Sequence, residues 1–250
     1  MEFVIVSPVL NFKIPKMSRK ICISLFCSIL LIPALVFSQK KDTSQIGVKK
    51  TKDFSVTGKG VAPNWNEVEW LTITPRDKNI YQTKLKLLYS DSGIYCLFHC
   101  EDKKITATMN ADNMDLWHED VVEAFFWTDE KFPIYFEYEL SPLNYELPIM
   151  VPNNNGDFLG WLPWHYEGSR RTKHATFIEK NGDNVLSWTA EFYIPYALLK
   201  PLANVPPKKG TKWRANFYRI DYDNGPVEWS WQLTKTSFHD YKGFGTLMFE

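Results

Sequence analysis

Short stretches in which apolar and polar residues alternate, most of them closed by a turn signal, recur from residue 69 to residue 249 and constrain the fold more than any other feature. They occupy 69–74, 84–89, 94–101, 121–127, 134–140, 174–179, 185–194, 213–221 and 245–249. Side chains of a strand alternate faces with period two, so runs of this kind are strands with at least one face buried. Ser90-Asp91-Ser92-Gly93, Asn181-Gly182-Asp183 and Asp223-Asn224-Gly225-Pro226 supply turns between them. The spacing predicts an all-β fold, an antiparallel β-sandwich of immunoglobulin-like or jelly-roll-like type. One or two short helical turns are added, one of them at Ile194-Pro195-Tyr196-Ala197-Leu198-Leu199.

The run 121–127, Val-Val-Glu-Ala-Phe-Phe-Trp, is apolar on both faces apart from Glu123. An ionised carboxylate among such neighbours is costly unless it is paired or hydrogen-bonded, so Glu123 either meets a cation or awaits a polar ligand. Trp117 lies in the loop just before this strand. An indole beside an oriented carboxylate is the pairing that a sugar site requires.

The ends and the charge narrow the setting. Met17-Ser18-Arg19-Lys20, an apolar stretch over 21–35 and Val36-Phe37-Ser38 read as a signal peptide over 1–38, with cleavage near Ser38-Gln39 and a true start at Met17. Residues 39–52 read as a polar, lysine-rich linker, and 53–250 as one domain. The chain carries 29 Lys+Arg and 29 Asp+Glu, of which the leader takes four basic and one acidic, leaving a balance of about −3. Neither nucleic acid nor an anionic membrane is indicated as a partner. Cys96 and Cys100 lie four apart on one strand face, about 13 Å from each other, so they are expected as core thiols.

The order of several segments resembles the family 9 carbohydrate-binding modules. The segments are Ile94-Tyr95-Cys96-Leu97-Phe98 with Glu101-Asp102, then Leu116-Trp117-His118-Glu119-Asp120-Val121-Val122-Glu123, then Tyr135-Phe136-Glu137-Tyr138-Glu139-Leu140-Ser141-Pro142. Trp188-Thr189-Ala190-Glu191-Phe192-Tyr193, Asn216-Phe217-Tyr218-Arg219 and the stretch 238–249 continue it. The likeness is to the exported family-9-like proteins of Bacteroidetes, on a sandwich related to DOMON domains. It implies non-catalytic glycan binding, in which two aromatic side chains clamp a sugar while polar groups take its hydroxyls. On that resemblance Trp117 is the first clamp and Glu123 the hydrogen-bonding carboxylate. Trp231 is the second clamp, with Trp229 as competitor, and Asn216 and Arg219 reach into the same cleft. Trp161 and Trp164, in the turn-rich excursion 153–164, extend the surface or plug the end of the core. A Glu123–Arg219 ion pair remains the rival reading for Glu123. Trp65, Trp70, Trp188 and Trp213 are expected in the core.

The implied setting is secreted or periplasmic, with a poly- or oligosaccharide as ligand and separate carbohydrate-active enzymes acting beside it in polysaccharide catabolism. No cofactor is required. Structural calcium is implied for some relatives, with oxygen ligands offered by 153–157 or 112–115. Three rival functions stay open. A glycoside hydrolase would draw on Glu119, Asp120, Glu123, Glu137 and Glu139, although Glu137 and Glu139 alternate as solvated residues do. A haem-binding electron carrier would draw on Met109, Met114, Met150, His118 or His165, without an attachment motif. The sandwich could also retain only a structural or protein-binding role.

Overall fold

The computed structural model describes residues 44–76, 81–155 and 157–250. The predicted leader and its cleavage site lie outside the described residues. In chain order the strands are β1 (Gln45–Lys50), β2 (Leu71–Pro75), β3 (Thr83–Tyr89), β4 (Gly93–Glu101), β5 (Val121–Trp127), β6 (Ile134–Leu140) and β7 (Glu146–Asn154). There follow β8 (Asp157–Phe158), β9 (Leu162–Pro163), β10 (Lys173–Asn181), β11 (Asn184–Pro195), the one-turn helix α1 (Tyr196–Leu199), β12 (Lys212–Asp221), β13 (Val227–Ser230) and β14 (Gly245–Phe249).

Two layers result. One orders its strands β10-β11-β4-β3, and the other runs β14-β12-β5-β6-β7. These pairings are antiparallel, as the turn chemistry predicts. The layers join at their margins, where β2 pairs with both β3 and β13, and β1 pairs with both β3 and β14. Between the layers lies an aromatic-rich core that includes Phe98, Phe126, Phe136, Trp188, Phe192, Trp213 and Phe217, each at most 1% exposed. A fully buried side chain of this size contributes about 1.5–3 kcal/mol, so this core is a large favourable term in folding.

The second sheet is covered on its outer face as well. Val121, Phe125, Tyr135, Leu147, Ile149, Tyr218 and Ile220 pack there with Leu116, Tyr241 and Phe244. This second layer explains why β5 is apolar in both parities: every residue from Val121 to Trp127 is buried.

An N-terminal strap seals the outer face of the first sheet. Trp65 and Phe54 pack onto Leu88, Tyr95, Leu97 and Tyr193. The carboxylate of Glu191, itself fully buried, accepts from the Trp65 indole, the Thr57 amide and hydroxyl, and the amides of Gly58 and Gly60. Gly58 has φ +80°, and a Cβ there would come within 2.8 Å of the Thr176 carbonyl oxygen, so the strap's approach requires glycine.

Four expectations change. Residues 45–50, predicted as part of the linker, form β1, because Val48 inserts fully into the core while Lys49 and Lys50 point out. Both pairings of β1 are parallel, a departure from the purely antiparallel expectation. β7 was not apparent because it contains Pro148 and Pro152; it sits at the sheet's end, beyond which only the two-residue β8 and β9 pair with it, and there a missing N–H is tolerated. Trp70, expected in the core, is 39% exposed and lies beneath the Lys86 ammonium. Trp65, Trp188 and Trp213 are buried. Cys96 and Cys100 are free and buried, and burial pushes the Cys100 thiol up to about 12.

Candidate functional site

The outer face of the second sheet opens into a cleft of about 480 Å³, within the range of small-ligand sites. The walls are aromatic, with Trp117, Trp161, Phe125, Phe158 and Phe238, and the floor is acidic, with Glu123 from β5 and Glu137 and Glu139 from β6. Arg76, Glu228 and His239 complete the polar lining.

Local geometry fixes each part. Trp117 lies in a single 3-10 turn, Leu116–His118, anchored by the fully buried Leu116. The Tyr222 hydroxyl donates to the Trp117 carbonyl at 2.8 Å. Flanking carboxylates hold the same loop: Glu119 accepts from the Thr108 and Met109 amides, and Asp120 from the Thr106 and Tyr222 amides. Trp161 meets Trp117 nearly at right angles, with 6.0 Å between ring centroids. The two indoles thus form a corner in which one ring can stack while the other borders its edge.

The floor is crowded with like charge. Glu123 is directly opposite Glu139 across the β5–β6 ladder, and Glu137 is two residues away on the same face. All three are at most 4% exposed. Burial first, then the charges of Glu137 and Glu228, push the Glu123 carboxyl well above the ordinary range. Glu139 rises well above it through burial and then Glu123 and Glu137, while burial pushes Glu137 up to about 8. Among the described residues no donor reaches Oε2 of Glu137 or Glu139. His239 sits 3.7 Å from Glu137, but burial lowers it to about 4 and leaves it neutral at pH 7, with Nδ1 2.6 Å from the Tyr135 hydroxyl. Arg76 is engaged by Glu228 at 2.9 Å and by the Thr234 carbonyl.

Of the residues singled out by sequence, Trp117, Glu123 and Trp161 come together here. The others do not line the cleft. Arg219 pairs across the ladder with Val122, whereas Tyr218 is opposite Glu123, so the guanidinium projects from the other face of β12. There, fully buried, it binds Asp102 at 2.9 Å, Asp221 at 2.6 Å and the Glu101 carbonyl at 2.7 Å, and it covers the Trp229 ring. The Glu123–Arg219 pair is therefore corrected. Asn216 is on the cleft side of β12 but is fully buried, its amide engaged by the Tyr218 hydroxyl and by the Gln232 carbonyl and amide. Trp231 packs on Phe217 within the inter-sheet core and overlies Gly245, where a Cβ would approach its ring to 2.4 Å. Trp229 is fully buried in the same core, and Trp164 packs at its margin with its indole donating to the Leu198 carbonyl. Glu137 and Glu139, expected as solvated, form the floor. Arg76, Phe158, Glu228, Phe238 and His239 were not anticipated; the one available signal was the shared parity of Tyr135, Glu137 and Glu139 beside Glu123.

Two of the residues in the stretches offered for calcium make contacts within the chain. Asn153 donates to the His239 carbonyl, and Asp112 accepts from the Glu146 amide. Among the described residues the acidic side chains that converge within 4.8 Å are Asp102, Asp221 and Asp223. The Arg219 guanidinium donates to two of them, Asp102 and Asp221, and the Tyr81 hydroxyl donates to Asp223.

No family profile matches the sequence. A protein of Arthroderma benhamiae named "Extracellular protein" is 29% identical over 169 residues, 62% of this chain and 71% of that protein. Among solved structures, a candidate carbohydrate-binding protein from Bacteroides uniformis aligns over 82% of this chain and 99% of its own, with TM-score 0.67 and 19% identity. A carbohydrate-binding module of family 9 from Caldicellulosiruptor kristjanssonii, in complex with cellotriose, aligns over 82% of this chain and 93% of its own, with TM-score 0.59 and 18% identity. Its complex with glucose gives 0.58. The chain has the family 9 module fold. Within that fold, the aromatic and acidic cleft lies on the outer face of the β5–β6 sheet.

Proposed function

We propose that the protein is a non-catalytic glycan-binding module that is exported and supports the breakdown of polysaccharides by separate enzymes. The observation that carries this reading is the corner of Trp117 and Trp161, open to the cleft and bordered by Glu123. A pyranose ring presents C–H groups on its face, which pack on an indole while its equatorial hydroxyls stay free to donate to carboxylates. Glucose and cellotriose are bound by proteins of this fold. Export is supported by the leader-like segment over 1–38 and by the name of the fungal relative. No helix among the described residues is long and apolar enough to cross a membrane.

The floor carboxylates favour binding over hydrolysis. A glycosidase needs two carboxyl groups flanking the scissile bond. Glu123 and Glu139 instead stand side by side on one sheet face, so both would address the same side of a sugar.

Titration calorimetry of residues 39–250 against a panel of mono- and oligosaccharides tests the reading. Measurable affinity for at least one glycan, lost in a folded Trp117→Ala variant, is expected. Absence of heat with every glycan contradicts it.

A further inference from the structure

The cleft has one more property that a neutral sugar leaves unanswered. Glu123, Glu137, Glu139 and Glu228 face it, against the single guanidinium of Arg76, which Glu228 already holds. His239 supplies no charge at neutral pH. Like charges directly opposite across a ladder destabilise a sheet, and buried carboxylates without a cation are costly. Moreover, no described donor reaches Oε2 of Glu137 or Glu139, although both residues are at least nine-tenths buried and line the cavity. Hydroxyl groups can satisfy the open lone pairs, but only a cation favours the ionised form of the floor. A protonated amine does both, with three donors and charge-assisted hydrogen bonds. A small metal ion is a poorer match, because the oxygens of these three glutamates do not converge within 4.8 Å as those of Asp102, Asp221 and Asp223 do. The aromatic walls suit the apolar faces of an organic cation.

We infer that the cleft selects sugars carrying a free amino group, with the ammonium received at Glu137 and Glu139 while Glu123 borders the ring and the ring rests against Trp117 and Trp161. The inference rests on the glycan-binding reading of the same cleft and adds the ligand class. Ionisation of the floor on binding releases protons, since these carboxyls hold protons near neutral pH in the free protein.

Calorimetry at pH 7 with three probes, the β-1,4 trimers of glucosamine, N-acetylglucosamine and glucose, tests it. The expected result is that the glucosamine trimer binds at least about tenfold tighter than either neutral trimer. Its heat should vary with the ionisation enthalpy of the buffer, reporting proton release. Glu137→Gln and Glu139→Gln, each shown to be folded by near-ultraviolet circular dichroism, should bring the ratio close to one. Equal or tighter binding of a neutral trimer, dependent on Trp117, overturns amine selection and leaves glycan binding standing. Failure of all three trimers, together with silence across the wider glycan panel, overturns both.

Discussion

Glu123 of β5 and Glu139 of β6 are directly opposite one another, both almost wholly buried, on the one face of the second sheet that opens to a ligand-sized cleft. Such an arrangement lowers stability, and it is retained where an incoming group can satisfy it.

The cost is visible as a pH dependence of stability. Glu137 holds its proton up to about pH 8 when folded but only to about 4.5 when unfolded. Between those values the folded state binds more protons, so the stability contributed by this group falls as pH rises through the window. Glu137→Gln should therefore gain stability relative to wild type as pH rises from 4.5 to 8, by a few kcal/mol at most. Urea denaturation at both pH values measures the gap; a constant gap contradicts the assignment.

Trp117 and Trp231 should separate binding from folding. Trp117 is an anchor at a cleft wall, and its removal is expected to cost about 2–4 kcal/mol of glycan affinity with little change in Tm. Trp231 fills the inter-sheet core over Gly245, so Trp231→Ala should cost about 3–5 kcal/mol of stability. Thermal melts and calorimetry on both variants check the division.

Arg219→Met should destabilise the protein by about 3–5 kcal/mol at pH 7, because Asp102 and Asp221 are left as buried, unpaired carboxylates. The Asp102 carboxyl lies at about 6, raised chiefly by burial, so acidification protonates it and lessens the loss. Denaturation at pH 7 and pH 5 should show the smaller deficit at pH 5.

The strap depends on one carboxylate. Glu191→Ala leaves the Trp65 indole and the amides of Thr57, Gly58 and Gly60 without an acceptor, and should cost about 2–4 kcal/mol. Limited proteolysis should then cut within 54–67 in the variant before it cuts elsewhere.

The strands were readable because period two survives in the sequence; the bounds of β5, β6 and β14 coincide with the alternating runs. Trp117 and Glu123 were readable from chemistry, an indole and an isolated carboxylate flanking one strand start. Arg219 was not, since a guanidinium near a cleft strand looks like a ligand-binding group, although its parity with Trp213, Ala215 and Phe217 pointed to the core. The burial of Glu137 and Glu139 depends on the covering layer that contributes Phe158, Phe238 and His239, whose course is set by long-range packing that local pattern does not encode. Trp161 and Trp164 are three residues apart in one excursion, yet one reaches the cleft and the other the core margin, a division set by loop conformation.

The central claim is the location of the site, and a crystal structure of the protein with its tightest-binding oligosaccharide tests it most directly. The account predicts a sugar ring seated against Trp117 and Trp161, with its polar groups within hydrogen-bonding distance of Glu123 and the Glu137–Glu139 pair. A sugar bound on any other face of the sandwich, with this cleft holding only water, would contradict it.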